Sequence, residues 1–136
     1  MDKSKIIEEL YKLSLKAYKN DEVPVACVIT KDNKIFSKAY NLREKYKNPL
    51  YHAEVVAINK LCKKINNWRL DEYEMYVTLK PCKMCMEIIK EARIKKVNYI
   101  LDSNFDQVKD NFELKKINID KEKFKLLITS FFKEKR

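Results

Sequence analysis

Whatever fold this chain adopts must bring His52 to Cys82 and Cys85, thirty residues downstream, because these three side chains read as one metal site. His52 is the only histidine and stands two residues before Glu54, at what reads as the start of a helix. Cys82 and Cys85, in Pro81-Cys82-Lys83-Met84-Cys85, are spaced so that both thiolates face one side of a helix's first turn. One imidazole and two thiolates suit Zn2+ by softness and leave the fourth tetrahedral position open for water, as catalytic sites do. Zinc lowers the pKa of its bound water from about 15.7 to about 7. Glu54 is then placed as a proton carrier rather than a ligand.

Other readings of the cysteines account for less. A redox Cys-x-x-Cys pair opening a helix would be expected with a later proline, and the prolines end at Pro81. A closed structural site needs a fourth ligand, yet Cys27 and Cys62 lie in apolar runs that read as core. A cysteine nucleophile paired with His52 leaves the second thiol of the pair without a role.

At 136 residues the chain is read as one domain, residues 1–136. No run of eighteen apolar residues marks a transmembrane helix, so no membrane partner is expected. The charged first twenty residues do not read as a secretory signal, and four cysteines, two of them in a metal motif, do not make a disulfide framework. A cytoplasmic protein is the expectation. The net charge of +10 invites a polyanion, but it is permissive evidence only. Lysine, asparagine and isoleucine have A/T-rich codons, and genome bias produces the same excess. The chain has no glycine at all, so turns needing positive φ must use Asn or Asp, as expected at Lys31-Asp32-Asn33-Lys34 and Asn66-Asn67.

Ile6, Leu10, Leu13 and Ala17 recur at helical spacing over 3–19. Val25 to Thr30 reads as a buried strand, and Asp32-Asn33 turns it into a second strand over 34–40. A polar loop over 41–51 precedes a helix over about 53–65. A strand over 75–79, a helix over 82–91 and a strand over 97–101 follow. A polar stretch over 102–111, a possible short strand over 114–119 and a helix through Phe124, Leu127, Ile128 and Phe131 complete the order. That order predicts an α/β fold, a three-layer α/β/α domain around a central mixed five-stranded sheet.

The His-Ala-Glu and Pro-Cys-x-x-Cys pair is the signature of zinc nucleobase deaminases. Over nearly its whole length the chain resembles the cytidine-deaminase superfamily, and within it the bacterial tRNA adenosine deaminases. Beyond the zinc motif, the resemblance is carried by Asp21-Glu22-Val23-Pro24-Val25, Asn41, Asn67-Trp68-Arg69-Leu70, Tyr76-Val77-Thr78-Leu79, Ala92-Arg93-Ile94 and Phe131 to Arg136. It implies a homodimer with one Zn2+ per chain, converting adenosine to inosine at wobble position 34 in the tRNA anticodon stem-loop. It assigns zinc to His52, Cys82 and Cys85, and proton transfer to Glu54. Substrate contacts are implied at Val23, Pro24, Asn41, Ala53, Pro81, Phe132, Lys135 and Arg136. Departures from the family pattern lie at Lys80, where a glutamate is usual, at Ala26 in place of a glycine, and at Ile100-Leu101-Asp102-Ser103 with the glycine-free stretch that follows. The last keeps open a deaminase of free nucleobases, nucleosides or nucleotides. An inactive RNA-binding scaffold that keeps zinc for stability is the alternative outside enzymes, and Glu54 argues against it.

Overall fold

The structure, a computed structural model, describes residues 3–103 and 112–135. Its elements run α1 (Lys3–Lys19), β1 (Ala26–Lys31), β2 (Lys34–Tyr40), α2 (Arg43–Tyr46), α3 (Ala53–Ile65), β3 (Glu74–Leu79), α4 (Lys83–Glu91), β4 (Lys96–Leu101), β5 (Glu113–Lys116) and α5 (Lys121–Glu134). The five strands form one sheet in the order β2-β1-β3-β4-β5. β1 is antiparallel to both β2 and β3, whereas β3, β4 and β5 are mutually parallel. This is the mixed five-stranded sheet expected from the sequence.

Alternation along the strands divides the core into two layers. Cys27, Ile29, Met75, Val77 and Val97 face α3 and α4, burying Ala57, Leu61 and Ile89 with them. Ala26, Val28, Tyr76 and Ile100 face the other way, onto Ile6, Ile7 and Leu10 of α1 and Phe124 of α5. β1 and β3 are thus buried on both faces, which is why their sequences are continuous apolar runs. On the α1 side, Thr78 Oγ1 accepts the Ala26 N–H at 3.0 Å and lies 2.9 Å from Ser14 Oγ of α1. That pair ties the start of β1, and so the Val23–Val25 segment before it, to the end of β3.

The turns show how a glycine-free chain closes. Asp32 and Asn33 have φ of 52° and 62°, the left-handed pair that a two-residue hairpin requires. Asn66 ends α3 at φ 53°. Asx residues tolerate this region because their short polar side chains bond locally. Lys47 (φ 50°) and Arg93 (φ 71°) hold it without that help and carry the strain a glycine would avoid. The loop over 41–51 contains one unexpected element, the single turn α2. The last strand ends at Lys116, short of the 119 expected; Ile117 still donates its N–H to Tyr99 O of β4 at 2.8 Å, and its side chain packs with Phe124 in the layer beneath α1.

Candidate metal centre and substrate cavity

The parallel strands β3 and β4 end on the same side of the sheet, where open α/β sheets present their ligand sites. Beyond β3 the chain passes through Lys80 and Pro81 into α4, with Cys82 as its N-cap (φ −73°, ψ 173°). His52 is the N-cap of α3 in a similar extended conformation (φ −67°, ψ 155°). In both, the cap carbonyl accepts the first helical bond, from Val56 (3.1 Å) and Met86 (2.9 Å), and the side chain makes no capping bond. The two side chains are therefore free to converge. Cys85 comes from the first turn of α4 and is fully buried.

Convergence is close. His52 Nδ1 lies 3.5 Å from Cys85 Sγ and 3.8 Å from Cys82 Sγ. The three donor atoms all fall within 4.8 Å of one another. Zinc bonds of ~2.3 Å to sulfur and ~2.0–2.1 Å to nitrogen give tetrahedral edges of about 3.5–3.8 Å, so the donors present fit zinc. The charges agree. The Cys82 thiol is lowered to about 3, chiefly by a hydrogen bond from Cys85 and then by His52. Cys85 is pushed far up, because its proton bridges to the Cys82 sulfur and burial opposes a second anion. Side by side, the two sulfurs can both ionise only with a cation between them, the condition a divalent metal meets. The positive ends of α3 and α4 add to the same field.

Glu54 is the next residue but one along α3. It is 4% exposed, and burial raises its carboxyl to about 7. A carboxyl with that affinity takes and returns protons at neutral pH. It faces a cavity of about 250 Å3, together with His52 and Cys82. Asn41 also lines this space, is 6% exposed, and accepts the Ala53 N–H at 2.9 Å through its side-chain oxygen. Its amide NH2 is the end left to meet a ligand. The bond satisfies one of the orphan donors at the start of α3 and fixes the side chain.

The other sequence-assigned residues divide. Val23 and Phe132 line the cavity. Pro24, Ala53 and Pro81 are buried and are not part of its lining. Lys135 reaches back to α1, its Nζ bonding Tyr18 O (2.6 Å) and Asp21 Oδ1 (2.8 Å). Arg136 lies outside the described residues, as does most of the polar stretch over 102–111. Sequence reasoning named neither Arg43 nor Leu79 as part of the site, and both line it. Arg43 is set by a long-range contact. The fully buried Glu22 carboxylate accepts the backbone N–H groups of Glu44 (3.1 Å) and Lys45 (2.9 Å), holding α2 against the Val23 segment.

Comparison with known proteins places this arrangement. The cytidine and deoxycytidylate deaminase zinc-binding region matches residues 1–101, and the chain belongs to that deaminase family. It is 44% identical over 98 residues to the tRNA-specific adenosine deaminase of Rickettsia bellii, covering 70% of this chain and 68% of that protein. Matches to the first curated relatives span about two thirds of those proteins' lengths. A guanine deaminase structure from Bacillus subtilis is 31% identical, with a TM-score of 0.70 over 75% of this chain and 66% of that one. The structure from a study of A-to-I editing by tRNA:A34 deaminases superposes with a TM-score of 0.79 over 86% of this chain and 100% of that one. At 22% identity it bears on the fold alone.

Proposed function

We propose that this protein is a zinc-dependent hydrolytic deaminase that converts adenosine to inosine at the wobble position of tRNA. The observation that carries the reading is the floor of the cavity, where three zinc-type donors and one buried carboxyl meet. The 44% identity to a tRNA-specific adenosine deaminase supports the choice of substrate. His52, Cys82 and Cys85 would hold the metal, which when bound would supply the Lewis acid that activates water at neutral pH. Glu54 takes the water's proton and delivers it to the base, so that the amino group leaves as ammonia. Asn41 orients the base through its amide NH2, and Val23, Leu79 and Phe132 supply apolar contact that keeps bulk water out. A cavity of about 250 Å3 is smaller than the ~300–1,000 Å3 of sites that enclose drug-sized ligands. It suits a flipped base whose backbone stays outside. The anticodon loop offers such a base, already unpaired.

The same reading includes a single catalytic domain that works as a homodimer in the cytoplasm, beside its tRNA. The small cavity and the likeness to a guanine deaminase favour one rival, a deaminase of free bases or nucleosides. One assay separates them. The protein is incubated with a tRNA bearing adenosine at the wobble position and, in parallel, with free adenosine, adenine, cytidine and guanine, and inosine and ammonia are measured. Inosine in the anticodon, formed at a rate that falls steeply with salt, is expected. Turnover of a free base without salt dependence, and none of tRNA, would move the protein to the small-molecule branch.

A further inference from the structure

Lys80 lines the wall of the substrate cavity with Leu79 and Val25, while remaining only 9% exposed. Its backbone is pinned where β3 and β4 end, the N–H donating to Leu101 O at 2.8 Å. Among the described residues it forms no ion pair. Asp102, at the end of the neighbouring strand, is paired with Lys116. Glu54 faces the same cavity, yet no ion pair joins it to Lys80. What Lys80 does have is the ring of Tyr99, 5.9 Å from its Nζ to the centroid, which offsets only part of the cost of burying an ammonium. Arg43 adds a second cation to the same wall.

Among the described residues nothing pairs this charge, and an anion in the cavity mouth would complete it. The base being deaminated is neutral, so the anion must come from elsewhere in the substrate. In a tRNA it comes from the phosphodiester backbone that passes the mouth once the base is flipped inward. We propose that Lys80 is a substrate-binding residue whose ammonium takes a non-bridging phosphate oxygen of the strand beside the deaminated adenosine. This rests on the tRNA reading above and adds to it a specific contact. A compact point charge with three donors suits that task.

The test compares wild type, Lys80→Met and Lys80→Arg on an anticodon stem-loop RNA with adenosine at the wobble position, across a range of salt. Lys80→Met is expected to raise KM about tenfold with kcat retained, and to lower the salt slope by about one ion. Lys80→Arg is expected to restore most of the affinity. A neutral methylphosphonate at the contacted phosphate should remove the difference between wild type and Lys80→Met, as in a double-mutant cycle. Stability should move the opposite way, the melting temperature of Lys80→Met rising by about 4 °C without substrate because a buried charge that the Tyr99 ring only partly offsets is gone. A purely structural lysine would lower it. If wild type edits the RNA while Lys80→Met keeps its KM and salt slope, the phosphate contact is wrong and the tRNA reading stands. If wild type leaves the RNA untouched, the reading itself fails and this proposal with it. Should Lys80→Met not fold, Lys80→Gln carries the same measurements.

Discussion

The floor of the cavity comes from the first turns of two helices, whereas its rim is assembled from five separate places in the chain. His52, Glu54, Cys82 and Cys85 sit within two or three residues of a helix start, on backbone that the helical ladder and the sheet beneath already fix. Val23, Arg43, Lys80, Ser103 and Phe132 meet only because a loop, a single helical turn, two strand ends and the last helix happen to converge. A floor built this way holds its donors to the tolerance that metal bonding demands. A rim built this way can change one side chain at a time without moving the metal. Chemistry and choice of substrate are therefore separable in this molecule, and substitutions should show it.

The largest effects belong to the floor. Cys85→Ala removes one of three ligands and is expected to abolish both bound zinc and turnover, and to lower the melting temperature because the metal ties α3 to α4. Metal analysis and thermal melts read this directly. Glu54→Ala should retain zinc and fold while losing about a thousandfold in kcat, the proton carrier being gone and the Lewis acid still present. Loss of zinc from that variant would make Glu54 a ligand and redraw the floor. Asn41 belongs to both regions. Asn41→Ala should lose about tenfold in kcat/KM and about 1 kcal/mol of stability, since the Ala53 N–H loses its acceptor. The smallest effect is expected at the rim. Phe132, 49% exposed, should on replacement by alanine raise KM several-fold with no change in zinc or melting temperature. Truncation after Thr129 is a poorer probe of the same point. It also removes Phe131, which is 1% exposed and packs edge-on against Tyr18.

The same division decides how much can be read from the sequence. The floor is legible because zinc restricts both residue type and spacing, and because no redox pair, closed structural site or cysteine nucleophile uses His52, Cys82 and Cys85 together. The two-sided burial of β1 and β3 and the Asp32-Asn33 hairpin are legible for similar reasons, a continuous apolar run and a turn that only a few residue types can make. The rim is not. α2 is four residues long with none buried, so no periodicity announces it, and what holds it is Glu22, more than twenty residues away. A terminal lysine carries no local signal of direction, and only the fold shows Lys135 turned back onto Tyr18 and Asp21. β5 is shorter than its sequence suggests because apolar residues look alike inside a strand and past its end, where Ile117 and Ile119 pack in the layer beneath α1.

Restoring zinc to stripped protein tests the central claim most directly, namely that His52, Cys82, Cys85 and Glu54 together deaminate a tRNA adenosine through a bound metal. Protein freed of metal by chelation is titrated with Zn2+, and inosine at the wobble position of a tRNA is quantified by mass spectrometry at each step. The account predicts no inosine without metal, a linear rise, and a plateau at one zinc per chain. Full conversion by metal-free protein, or a plateau that ignores zinc, would contradict it.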